Sequence, residues 1–252
     1  MLAYVESCLP GAMREERVAL ARRLELALEI AHEPGFDPAW WQRPGMPPIA
    51  SLQAFGMHDA HPLHEDAERR AQAVTYLEQA LQAASKLGVP RLIVACGFGK
   101  CVVDRPFDRC FEFFGAMAST ARDLGLRLLI EPLSPLRAEA MNDPGDIERL
   151  LDALDAPDVF GTVLDTGHLV DGGHDPTAIL RRWCHRVDEL QLRGAGGRPP
   201  SPDLPLREWL GALAAPPDVL AVEHRVATTA SEVERLVDDL RVRPWSAGGG
   251  WT

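Results

Sequence analysis

Along the 252-residue chain, eight short runs rich in Val, Ile and Leu alternate with longer segments of helical spacing. This alternation is the sequence sign of repeated βα units around a parallel sheet. The strand-like runs are residues 2–7, 24–30, 49–55, 91–96, 127–132, 161–166, 189–194 and 219–224. Helical segments are predicted over 66–88, 107–125, 143–156, 175–187, 205–215 and 229–241. The first of these stops at Gly88 with Pro90 just beyond, as helix ends tend to. Residues 34–48, rich in Pro and Gly, leave the second helix short or absent. Eight strands in a chain of this length favour a closed α/β barrel, the single-domain (β/α)8 TIM barrel, over an open sheet. The expected barrel spans residues 1–240, and the Pro/Gly-rich residues 241–252 read as a frayed tail.

A net charge of −11 and the lack of any Lys/Arg block argue against nucleic acid as a partner, because phosphate tracking relies on clustered positive charge. Small molecules are the expected partners, and a homo-oligomer is compatible with the composition. No apolar run is long enough to span a bilayer, and the start of the chain lacks the basic and apolar regions of a leader, so a cytoplasmic location is expected. Five scattered cysteines without a C-x-x-C pair suit reduced thiols in that compartment and offer no zinc ribbon.

In a barrel of this kind chemistry is built where strands finish and βα loops begin. The runs "LLIEP", "TVLDTGH", "ELQLRG" and "LAVEH" end in Glu131, Asp165 with His168, Gln191 and Glu223. One such carboxylate reads as a helix cap or a salt-bridge partner. Oxygen donors on four successive strands do not, since converging carboxylates repel and each is costly to bury unpaired. One divalent cation resolves that cost. Three carboxylates and an amide oxygen suit Mn²⁺ or Mg²⁺ first, with Co²⁺ or Zn²⁺ as alternatives.

These motifs resemble the xylose-isomerase-like barrels, which include tagatose and psicose 3-epimerases, hydroxypyruvate isomerase, inosose dehydratase and the apurinic-site endonucleases. The resemblance is most specific in "IEPLSP", "LDTGH" and the "ELQL" strand. It implies a metal held by Glu131, Asp165, Gln191 and Glu223. It also implies that Glu131 and Glu223 act as an acid/base pair, with His168 touching substrate or a metal ligand. Gln191 is similar to the choice in hydroxypyruvate isomerase. The activity implied is isomerisation or epimerisation of a sugar-like polyhydroxy carbonyl compound, by proton transfer through a metal-bound enediolate.

Epimerases of this type carry another glutamate in the loop after the first ligand; here Arg137 stands near that place, with Glu139 beyond it. Asn142 resembles the family's asparagine but equally suits an N-cap. If the strands extend that far, period-two alternation puts Arg193 and Arg225 on the faces of Gln191 and Glu223, where either could grip a carboxylate or phosphate of a substrate or pair with one of the chain's own acids. Lys100 is a weaker anion candidate. Of the three histidines at intervals of three, His58 is expected to reach substrate, and His61 and His64 to lie on a loop surface. Trp40 and Trp41 read as packing against the barrel. Three other readings stay open: a dehydratase or lyase on a similar substrate, a multinuclear phosphodiesterase, and a subunit active only with a partner.

Overall fold

The computed structural model describes residues 1–101, 103–201 and 203–241. Eight parallel strands follow one another in chain order and close into a barrel. They are β1 (Leu2–Val5), β2 (Ala27–Ala31), β3 (Ile49–Gln53), β4 (Arg91–Ala95), β5 (Arg127–Glu131), β6 (Phe160–Asp165), β7 (Val187–Leu192) and β8 (Val219–Val222). The helices are α1 (Arg14–Arg23), α2 (Pro38–Trp41), α3 (Ala67–Leu87), α4 (Pro106–Asp123), α5 (Pro144–Leu154), α6 (Thr166–Asp171), α7 (Pro176–Arg182), α8 (Leu206–Ala212) and α9 (Ala230–Arg241). Every strand-like run of the sequence is a strand, and the second helix is the single turn α2. The expected tail over 242–252 lies outside the described residues.

Two compact units share these elements. In the first (Met1–Ile30, Pro44–Ala50 and the chain from Leu164 onward), β1 lies between β2 and β8, with Ala3 in register with both Ala27 and Ala221. These alanines, with Ala50 and Val219, form one buried cluster. Small side chains there leave room for larger polar ones further along the same faces. By the two-residue period, Glu29 follows Ala27, and Gln191, in register with Ala221, follows Glu189. All three of these polar residues are fully buried. In the second unit (Ala31–Arg43 and Ser51–Val163), Ile93, Leu129 and Val163 form the corresponding apolar cluster. Glu131 lies two residues beyond Leu129, in register with Ala95.

Helix ends follow ordinary capping chemistry. Asp66 and Asp143 each accept a hydrogen bond from the backbone N–H two residues on, opening α3 and α5. Gly88, with φ 66°, closes α3 in the left-handed conformation that glycine adopts without strain. The cap of α5 is therefore Asp143 and not Asn142, whose side-chain amide instead donates to the Ala138 carbonyl at 2.6 Å.

Candidate functional site

Asp165 ends β6 and begins α6, and its two oxygens do different work. Oδ1 accepts the His168 backbone N–H at 2.9 Å, capping α6. Oδ2 faces the Arg193 guanidinium at 3.1 Å, without hydrogen-bond geometry. The capping role and the strand-end carboxylate role thus coexist in one side chain. Burial pushes the Asp165 carboxyl up to about 7; the guanidinium opposes this and the Glu223 charge adds to it. A carboxyl poised near neutrality is a mark of sites that move protons or hold cations.

Arg193 lies one residue past β7, with its side chain 2% exposed. Thr166 Oγ1 accepts the Arg193 N–H and donates to its carbonyl, both at 2.9 Å. The guanidinium also reaches Glu223 Oε1, at 3.4 Å from Nη1. Glu223 follows β8, its backbone N–H bonded to the Leu192 carbonyl at 3.2 Å. The next residue, His224, is buried; its Nδ1 donates to the Val226 carbonyl at 2.8 Å, so its Nε2 accepts from the Tyr4 hydroxyl at 2.7 Å. Glu223 is therefore set on a firm backbone while its side chain stays 18% exposed. Beside it, burial first and then the Glu223 charge push the Cys8 thiol up to about 12, which keeps it protonated at neutral pH.

The side-chain amide of Gln191 donates to Glu29 Oε1 at 2.7 Å, an orientation required because a carboxylate can only accept. Its Oε1 is buried and has no hydrogen-bond partner among the described residues. Glu29, like Glu189, is a buried polar residue that sequence reasoning passed over. Its signal was present: a lone carboxylate at the centre of the apolar run "ALEIA".

Three of the strand-end groups converge. Glu131, Asp165 and His168 each offer one ligand atom, and these atoms lie within 4.8 Å of one another. Two carboxylates and an imidazole make a donor set consistent with a divalent metal. The Gln191 and Asp165 oxygens without hydrogen bonds are what a cation-binding pocket would leave.

Within the second unit the loops after β3, β4 and β5 build a second feature. Backbone bonds from Gly99 N–H to the Arg137 carbonyl (2.7 Å) and from Glu139 N–H to the Gly99 carbonyl (3.0 Å) tie two of them together. His58 Nδ1 donates to the Phe55 carbonyl at 2.7 Å, leaving Nε2 to accept from Arg137 at 3.2 Å. The His58 ring stacks on Phe98 with centroids 3.9 Å apart.

Three expectations are corrected. His61 is not on a loop surface: it is 2% exposed, because its Nε2 receives the Phe98 N–H and its ring fills the space beside Gly97. Asn142 does not cap α5. Arg225 does not share a strand face with Glu223, because β8 ends at Val222; it is exposed and lays its stem over Gly197. Lys100 is exposed, and Trp41 is packed away at 4% exposure.

A closed parallel barrel with carboxylates at strand ends is a (β/α)8 fold, a class whose enzymes build their chemistry at the C-terminal strand ends. The profile of the family described as xylose isomerase-like TIM barrel matches residues 42–198, and the chain belongs to that family. No curated protein sequence matches it. Among solved structures it is similar to D-psicose 3-epimerase, with 18% identity, 92% of this chain and 89% of that one covered, and a TM-score of 0.74. It is also similar to L-ribulose 3-epimerase (16%, 97% and 88%, 0.73) and to the 3-keto-D-glucoside 4-epimerase YcjR from E. coli (14%, 93% and 96%, 0.72). At these identities the likeness is one of fold. Among the described residues no helix is long and apolar enough to cross a membrane.

Proposed function

We propose that this protein is a metal-dependent isomerase or epimerase of a sugar-like polyhydroxy carbonyl compound. The observation that carries this reading is the convergence of Glu131, Asp165 and His168 on one point at the ends of β5 and β6. Those three residues would hold one divalent ion, and Gln191 Oε1, buried without a hydrogen bond among the described residues, is a further candidate ligand. Mn²⁺ suits such a mixed oxygen and nitrogen set, with Co²⁺ or Zn²⁺ as alternatives and Mg²⁺ less suited to the imidazole. When bound, the ion would polarise a substrate carbonyl and acidify the neighbouring C–H.

The chain's own residues then move the proton. Glu223, whose side chain is partly exposed, takes it from the carbon beside the carbonyl, and Glu131 takes part in its return. Arg193 holds one Glu223 oxygen, so that the carboxylate keeps one orientation towards substrate. Arg137, positioned by the His58 ring, offers a cation to substrate oxygens, and Arg225 an exposed one. The epimerases among the similar structures support the substrate class, because this barrel carries those activities elsewhere.

The test is turnover of a ketose panel in D₂O by protein stripped of metal and then given Mn²⁺. Deuterium at the carbon beside the carbonyl, dependent on Mn²⁺ and with the product otherwise of unchanged mass, is the expected result. Loss of water would turn the reading to a dehydratase. Hydrolysis of a phosphodiester with two or more ions per chain would replace it altogether.

A further inference from the structure

We propose that Arg193 is a built-in counter-ion that competes with the divalent metal for Asp165, so that metal uptake requires its guanidinium to withdraw. This rests on the metal-dependent reading of the site. Oδ2 is the Asp165 oxygen more open to a cation, because it has no hydrogen bond among the described residues while Oδ1 already accepts the His168 N–H. The guanidinium faces that same oxygen at 3.1 Å.

The sequence reserves this position for arginine in three ways. Thr166 clamps the Arg193 backbone from both sides, as donor and as acceptor. Gly167 leaves the space: a Cβ there would lie 2.7 Å from Arg193 Nε and 3.0 Å from Cγ. Glu223 supplies a second acceptor, so one guanidinium spans two carboxylates. Asp165 is buried, with a side-chain exposure of 0%, and without a nearby positive charge its ionised form would be strongly disfavoured. Arg193 therefore assembles the pair before any metal arrives. The hold is graded. The Asp165 contact lacks hydrogen-bond geometry and is replaceable by an ion with shorter bonds, while the 3.4 Å bond to Glu223 gives the withdrawn guanidinium a second place to rest. Arg193 acts here as a positioning residue, through the carboxylates it holds.

Mn²⁺ titration of the chelator-treated full-length protein, followed by the electron paramagnetic resonance of free Mn²⁺, tests this directly. Removing the competitor in Arg193→Met should tighten Mn²⁺ binding by about tenfold or more, the scale expected when a charge contact worth about 1.4 kcal/mol is no longer displaced. A merely structural arginine predicts the opposite, weaker binding in a loosened site. Arg193→Lys retains charge but not the two-carboxylate span, and should fall between the two. If Arg193→Met folds poorly in chelator, its melting temperature should rise more on adding Mn²⁺ than the wild type's does. Tight binding by the wild type with no gain in Arg193→Met or Arg193→Lys would overturn the competition and leave the metal site standing. No binding by any of the three would overturn both.

Discussion

Gln191 and Glu29, on β7 and β2, meet by a 2.7 Å hydrogen bond between two fully buried side chains. Because Glu29 can only accept while ionised, the contact also points the Gln191 carbonyl oxygen away from it. Gln191→Leu removes the donor and leaves a buried carboxylate oxygen to be satisfied otherwise. It should lower unfolding free energy by about 1–3 kcal/mol. Glu29→Gln in the Gln191→Leu background should recover part of that loss, because the buried charge is gone. Denaturant titrations of the two single variants and the double variant measure the coupling. Additive losses would show that the bond contributes nothing specific.

The metal assignment makes His168 separable from Gln191. If His168 is a ligand, His168→Ala should lose most Mn²⁺ binding, comparably to Asp165→Ala, while the backbone cap from His168 N–H to Asp165 survives. Gln191→Leu should weaken binding less. Metal analysis after gel filtration decides between them. Retention of a full equivalent by His168→Ala would return His168 to the role of a substrate contact.

Glu223→Gln keeps the side chain's shape and removes its basicity. Activity should fall by roughly 10²–10⁴-fold, the range typical of a lost general base, while Mn²⁺ binding persists. Glu131→Gln should lose activity and weaken Mn²⁺ binding together, because that residue has both tasks. Steady-state rates paired with metal titrations for each variant check the division. Near wild-type turnover by Glu223→Gln would remove it from the proton path.

The strands were legible because a parallel strand buried on both faces must be apolar throughout, and that leaves short hydrophobic runs no amphipathic helix would produce. Their terminal carboxylates were legible for the same reason: Asp165 and Glu131 stand out against "TVL" and "LLI". What stayed hidden depends on register and reach. Nothing local says that Glu29 faces Gln191, since the pair forms only once β1 sets β2 and β8 in register. Arg193 was visible as a cation near the site. That its guanidinium would lie on Asp165 and Glu223 follows from the Thr166 clamp and the space at Gly167. His61 reads as surface because it falls in a loop between two other histidines. Its burial comes from the β4 loop folding over it.

His61 also sets a pH dependence. Burial first, then the neighbouring His64 and His58, push its pKa from 6.5 down to about 4. Its Nε2 accepts the Phe98 N–H, so protonation would also break that bond. The unfolded chain binds the proton more tightly than the folded one between these values. The stability that neutral His61 contributes is therefore complete above about pH 6.5 and is lost as pH falls towards 4. The slope approaches one proton, about 1.4 kcal/mol per pH unit. His61→Gln retains an acceptor for Phe98 N–H and removes the titration. Its stability should lie below wild type near pH 7, with the gap narrowing steadily on acidification to pH 4. His32 and His224, also depressed chiefly by burial, keep a residual acid slope in both proteins. Urea unfolding at half-unit intervals from pH 4 to 7.5 resolves the difference; parallel curves for the two proteins would remove His61 as its source.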